Sequence, residues 1–220
     1  MAAGLVALHT LALVAGIFIT LEGPEGAGKS LQATRLVDSL HAAGDRARLT
    51  REPGGTRLGE QVRAIVLSDG PGDATIDPVT EALLFNAARA QLVVEVIRPA
   101  LEAGEIVVCD RFADSTLAYQ GYGAGVGLTD LRAIADVATM GVVPDLTILL
   151  DIAPEIGLAR KTADSRNRFE AAFDRAFHRR VRAGFLELAR TEPDRWTVVD
   201  AARDPESVFG DIRDAVASVR

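Results

Sequence analysis

"GPEGAGKS", residues Gly23 to Ser30, decides how the rest of the chain is read. It matches G-x-x-x-x-G-K-[ST] at every fixed position, a match expected by chance in about one chain in a hundred of this length. An apolar, β-rich run, Ile17–Leu21, precedes it, and a helical pattern follows. Glycines let consecutive backbone N–H groups turn inward, and the N-terminus of the next helix adds positive potential, so the stretch reads as a phosphate cradle. On this pattern Gly23, Pro24, Glu25, Gly26, Ala27, Gly28, Lys29 and Ser30 hold the polyphosphate of a nucleoside triphosphate. Lys29 reaches the β- and γ-phosphates, and the Ser30 hydroxyl ligates Mg²⁺. A glycine-rich strand-to-helix turn with no ligand is the alternative. The lysine argues against it. Of 24 basic residues only Lys29 and Lys161 are lysines, and a compact ammonium fits inside such a loop where a planar guanidinium does not. By itself the loop leaves motors, switches, transporters and kinases open.

Outward from the loop, short β-rich runs alternate with helical patterns, as in parallel βαβ units. The strand candidates are Ile17–Leu21, Arg46–Thr50, Ile106–Cys109, Leu146–Asp151 and Trp196–Val199. Four of these five are apolar without alternation, as strands covered on both faces should be. The expected fold class is therefore α/β, a P-loop NTPase fold with a five-stranded parallel sheet flanked by helices and a short helical lid. Leu36, Val37 and Leu40 share a face of the first helix, which stops at Gly44. Asp77 and Pro78 open a long helix running to Gly104, Thr129 caps another, and Asp204 with Pro205 opens the last. Glycine-rich loops at Arg51–Gly55 and Gly121–Gly127 are expected near the site.

The 220 residues, 48% of them hydrophobic and 25% charged, suit one soluble α/β domain. A net charge of −7 disfavours a nucleic-acid partner, which calls for a basic face. The single cysteine, Cys109, excludes an intrachain disulfide, which fits a reducing compartment. At the end of "EIVVC" it reads as a buried, inert thiol. Residues 1–15 are almost wholly apolar, yet no Lys or Arg precedes Lys29, so a signal peptide is not indicated. The end of that apolar run is claimed by the first strand, and the remainder is shorter than the ~20 residues of a membrane span. Residues 1–15 are read as an extension without functional weight, and 16–220 as one domain with its lid at about 157–170. Deleting residues 1–14 and assaying solubility and activity tests that reading.

Three further stretches narrow the choice: "TREPGGT", "ALLFNAARAQ" and "CDRFADSTLAYQGYG". With the loop, in this order and spacing, they resemble bacterial thymidylate kinases. "PDLTILLD" and "RNRFE…FHRRV" continue the similarity from about Gly16 onward. The physics of the pieces agrees. Asp110 ends a buried strand beside the loop, where a carboxylate can hold a Mg²⁺ water shell, and Arg111 next to it can face phosphate. Phe85 and Arg89 lie four apart on one helix face; a ring can stack on a base and a guanidinium can donate to a carbonyl edge. Without the resemblance Phe85 would read as core.

The resemblance implies transfer of the γ-phosphoryl group of ATP to dTMP. It puts Arg111 and Arg63 on the acceptor phosphate and Glu52 and Pro53 against the acceptor nucleotide. Phe85 and Arg89 meet thymine, with Arg89 toward O4, and Thr116 and Gln120 meet the base edge. Tyr119 sits against C2′, disfavouring a ribose hydroxyl, and Glu25 sits near the 3′-hydroxyl. It further implies a cytoplasmic homodimer. Between Gly157 and Arg190 nine basic residues face four acidic ones, an excess of five. There Arg160, Arg166 and Arg168 are expected to meet charge on the transferred group. The loop itself holds no arginine, so the lid must supply it; Arg179, Arg180, Arg182 and Arg190 read as a solvated face. Leu31 departs from the polar residue that usually follows the motif. Two rivals stay open: a monophosphate kinase for another acceptor such as dCMP or UMP, and a regulatory P-loop ATPase that hydrolyses ATP without an acceptor.

Overall fold

A computed structural model of the chain describes residues 16–67, 76–160 and 174–220. Five parallel strands, β1 (Ile17–Glu22), β2 (Ala47–Arg51), β3 (Ile106–Asp110), β4 (Leu146–Asp151) and β5 (Trp196–Asp200), form one sheet in the order β2-β3-β1-β4-β5. All five expected strands are present, with bounds shifted by at most one residue at either end. The three central strands are buried along nearly their whole length, which is why their sequences do not alternate. Edge strands β2 and β5 are partly exposed.

Side chains leave the central strands in alternate directions and feed two cores. Ile19, Leu21, Val108, Ile148 and Leu150 pack with Leu36, Val37 and Leu40 of α1 (Lys29–Ala42). Phe18, Val107 and Cys109 pack on the opposite face with Leu92, Val93 and Ile97. The Cys109 thiol is fully buried and donates to Arg111 O at 2.9 Å; burial pushes its pKa well up, so it is the inert thiol expected.

α2 (Arg57–Leu67) follows the Arg51–Gly55 loop. α3 (Pro78–Leu92) opens as expected, with Asp77 accepting from Val79 N at 2.9 Å. It does not run unbroken: a π-helical turn, Val93–Ile97, joins it to α4 (Arg98–Glu102), where Pro99 cannot donate to the preceding turn. A second π-helical stretch, Leu117–Gly123, extends α5 (Ala113–Thr116), so the expected Gly121–Gly127 loop is half helical. α6 (Leu128–Thr139) is preceded by Gly127 and lacks a side-chain cap; Thr129 lies inside it rather than capping it. α7 (Pro154–Ala159), α8 (Arg175–Thr191) and α9 (Pro205–Ala217) complete the chain, the last capped by Asp204 as expected.

The chain reverses direction across the sheet beside β1, whose neighbours are β3 and β4. In open α/β sheets the crevice beyond the strand carboxyl ends at such a point is where ligands bind. The 23–30 loop, Asp110 and Asp151 all lie there. No helix among the described residues is long and apolar enough to cross a membrane.

Candidate active site

A cavity of about 860 Å³ opens at those strand ends. The phosphate loop forms one wall. Gly26 and Gly28 have φ of 73° and 90°, conformations that side chains resist. Gly28 precedes α1 and no side chain caps that helix, so its first N–H groups remain open toward the cavity. Lys29 is buried and donates to Gly23 O at 3.0 Å and Pro24 O at 2.8 Å. Burial, with Arg111 nearby, lowers its pKa to about 8, which leaves it protonated at neutral pH. The Ser30 hydroxyl donates to Asp110 Oδ2 at 2.5 Å, joining loop and β3.

That pair bears on Mg²⁺. A hydroxyl and a carboxylate are hard oxygen donors, and Mg²⁺ in phosphate sites takes one or two protein oxygens besides phosphate and water. Among the described residues no three His, Cys, Asp or Glu side chains cluster into a self-sufficient metal cage. The donor set fits Mg²⁺ carried in with a nucleotide.

Arg111 is the hub of the site. Its backbone is left-handed at φ 72°, a strained state for a long side chain that clusters at functional positions. The guanidinium donates to Gly23 O (3.2 Å), Ser115 Oγ (3.1 Å), Glu25 Oε1 (2.9 Å) and Tyr119 OH (3.1 Å). Tyr119 in turn donates to Glu25 Oε1 at 2.9 Å. Behind it, Glu22 is completely buried and accepts from Phe112 N (2.7 Å) and Ser115 Oγ (2.5 Å). Burial and the neighbouring Asp114 raise the Glu22 carboxyl to about 8. Asp114 is held by a bidentate pair with Arg195, both oxygens at 2.8 Å.

The far wall differs in kind. Phe85 is half-buried, packs on two apolar clusters and also lines the cavity. Arg89 is 1% exposed and pairs with Glu52 through Nε (2.9 Å) and Nη2 (2.7 Å). It also donates to Asn86 Oδ1 (2.7 Å), Phe112 O (3.2 Å) and Thr116 Oγ1 (3.0 Å). Glu52 and Arg89 are thus one buried unit, not two independent contacts. Arg63 donates to Pro53 O at 2.9 Å, and Arg51 pairs with Glu60 at 3.1 Å, anchoring the turn. Gln120 is buried beside Glu81 and reaches the cavity.

Of the expected site residues, Glu25, Gly26, Gly28, Lys29 and Ser30 line this cavity. So do Glu52, Pro53, Arg63, Phe85 and Arg89, and Asp110, Arg111, Thr116, Tyr119, Gln120 and Arg160. Gly23, Pro24 and Ala27 do not: the first two offer carbonyls to Lys29, and Ala27 is in the core. Arg160 donates to Ala201 O at 2.9 Å and, at 3.4 Å, to Gly26 O. Arg166, Arg168 and most of the expected lid lie outside the described residues, as do residues 1–15. The solvated-face reading holds for Arg179 and Arg190, which form exposed pairs with Glu155 and Glu187. Arg180 is also exposed, while donating to Gly123 O at 2.8 Å. The reading fails for Arg182, which is partly buried and grips Asp151 with two 2.7 Å bonds. Leu31 is 53% exposed and lines the cavity. Glu22, Ser115, Glu81 and Gly157 were not singled out from sequence. Glu22 meets Ser115 across 93 positions and Glu81 meets Gln120 across 39, so neither pair leaves a local signal.

The chain matches the family model described as thymidylate kinase over residues 21–212. It is similar to a thymidylate kinase of Deinococcus radiodurans, 53% identical over 203 residues, covering 92% of this chain and 97% of that protein. A thymidylate kinase of Solidesulfovibrio magneticus is 52% identical over 200 residues, covering 87% and 94%. Among solved structures, a thymidylate kinase of Ehrlichia chaffeensis matches with a TM-score of 0.74 at 33% identity, over 92% of this chain and 99% of that one.

Proposed function

The chain belongs to the thymidylate kinase family, and from that premise we propose that the cavity at the strand ends takes ATP and dTMP together and transfers the γ-phosphoryl group, giving dTDP and ADP. The carrying observation is that Arg111 bonds to the phosphate loop at Gly23 O and Glu25 and to Tyr119 on the acceptor side. A single guanidinium so held spans donor and acceptor.

The acceptor is a phosphate oxygen that is already anionic, so the reaction needs no general base. Neither His41 nor His178 lines the cavity, which suits such a reaction. Catalysis reduces to alignment and charge neutralisation. Lys29, charged at neutral pH, exchanges its two carbonyl partners for phosphate oxygens. Arg111 holds the acceptor phosphate, with Arg63 behind it. Mg²⁺ at Ser30 and Asp110 would neutralise charge on the donor phosphates. The resemblance assigns Arg160, Arg166 and Arg168 to the charge on the transferred group.

At the other end Phe85 stacks on the thymine ring. The Glu52 carboxylate fixes the fork of Arg89, so that it addresses O4 without searching for a rotamer. Thr116, which accepts from Arg89, completes that edge with Gln120. Tyr119, tethered to Glu25, stands against C2′, while Glu25 and Pro53 border the sugar. We place this machinery in one domain, 16–220, preceded by an extension that takes no part. Leu58, Ile65, Val79 and Leu83 are exposed apolar side chains on α2 and α3 and support a homodimer. The buried free thiol suits the cytoplasm.

A panel of dTMP, dCMP, UMP and purine monophosphates in a coupled ADP-release assay tests the proposal. Acceptor-dependent turnover with dTMP preferred is expected. Preference for another monophosphate, or ATP hydrolysis indifferent to any acceptor, overturns it.

A further inference from the structure

Gln120 belongs to the π-helical stretch after α5, and its side chain is buried while reaching the cavity beside Phe85, Arg89 and Thr116. An amide at a base edge can present either of two opposite faces, a donor NH₂ or an acceptor C=O, and shape alone does not choose between them. Here something does. Gln120 Nε2 donates to Glu81 Oε2 at 3.1 Å. Glu81 is itself buried, in the first turn of α3, where the helix N-terminus favours a negative charge. That donation turns the NH₂ of Gln120 to Glu81 and its carbonyl away.

We propose that Glu81 is a specificity-determining positioning residue: it locks the Gln120 amide so that a carbonyl, not an amino group, meets the base. This rests on the thymine reading of the cavity given above and deepens it. Thymine offers an N3–H donor, and the locked carbonyl accepts it. Cytosine offers an N3 lone pair at the same place, which a carbonyl repels. A site that fixes polarity rejects the mismatched base far better than one that merely fits its outline. Glu81 touches no substrate; it acts through Gln120.

The informative comparison is dTMP against 5-methyl-dCMP, which keeps the ring methyl and changes only N3 and the 4-substituent. E81Q keeps shape and removes the acceptor-only constraint, so Gln120 can turn over. The ratio of kcat/KM for dTMP to that for 5-methyl-dCMP should fall about tenfold, the effect of one misdirected hydrogen bond. Q120L should lose at least as much, and E81Q with Q120L no more than Q120L alone, because both act through one group. A ratio in E81Q within twofold of wild type, or additive losses in the double variant, overturns the inference and leaves the dTMP assignment standing. Should E81Q fail to fold, N3-methyl-dTMP is offered to the wild-type protein: rejection is expected, and binding as tight as dTMP overturns the inference. A wild-type enzyme that phosphorylates 5-methyl-dCMP as readily as dTMP overturns the thymine reading itself.

Discussion

Replacing Gly157 by Ala sets two effects against each other. Gly157 is in α7, and alanine is the better helix former by about 1 kcal/mol, so propensity alone forecasts a more stable protein. The structure forecasts the reverse. A Cβ at position 157 would lie 2.1 Å from Glu25 O and 3.3 Å from Ile152 Cγ2. The contact is mutual, since a Cβ on Gly26 would lie 1.9 Å from Gly157 O. Phosphate loop and α7 therefore touch backbone to backbone. Opening the first contact to 3.0 Å, the limit for a real Cβ, requires a shift of 3.0 − 2.1 = 0.9 Å. Backbone on both sides leaves no flexible side chain to absorb it. The shift lands on the loop that presents Lys29 and Glu25, or on the helix that Arg160 follows. Overpacking of this kind costs about 1–3 kcal/mol, more than the propensity gain. A misplacement of about 1 Å at reacting groups lowers turnover by on the order of 10²-fold. Urea unfolding and kcat from ADP release measure the two quantities on the same protein. A G157A enzyme at least as stable as wild type, with kcat within twofold, would refute the reasoning.

Two more predictions follow from buried charge. E52A should destabilise by about 3–5 kcal/mol, because it strands the Arg89 guanidinium in the interior; E52L combined with R89M should recover most of that stability while kcat/KM for dTMP falls steeply. Equal urea midpoints for E52A and wild type would contradict this. The Glu22 carboxyl is raised from 4.5 to about 8 by burial and by Asp114, so its folded-state pKa lies above its unfolded one. The stability tied to its neutral form is complete below about pH 4.5 and is lost as pH rises through about 8. Relative to E22Q, which cannot ionise, wild type should lose about 1.4 kcal/mol per pH unit between pH 5 and 8. Parallel stability-versus-pH curves for the two proteins would refute it.

What could be read from sequence had local causes. The phosphate loop is eight consecutive residues whose glycines and lysine carry their own reason. Strands covered on both faces announce themselves as unbroken apolar runs, and Asp77–Pro78 and Asp204–Pro205 begin helices wherever they stand. Errors arose where neighbours along the chain were poor guides to neighbours in space. "GYGAGVG" reads as loop, yet packing against α6 and α8 holds its first half in a π-helical turn: Gly121 closely approaches Leu128, and Gly123 approaches Phe177. Arg182 reads as a solvated helix residue, and only the placement of α8 beside β4 brings it to Asp151.

The sequence alone determined the class of fold, the donor-phosphate loop and, through the resemblance, the acceptor. These depend on residue types at short spacings, where covalent connection already guarantees proximity. Tertiary structure alone decided that Glu52 and Arg89 form one buried pair, that Arg111 is tied to the loop through Glu25, and that Gln120 meets Glu81. Those partners are 37, 86 and 39 residues apart. Nothing in a chain read linearly fixes which of many carboxylates a given guanidinium or amide will meet. The fold brings them together, and burial then enforces the pairing, because a polar group removed from water must find its partner inside.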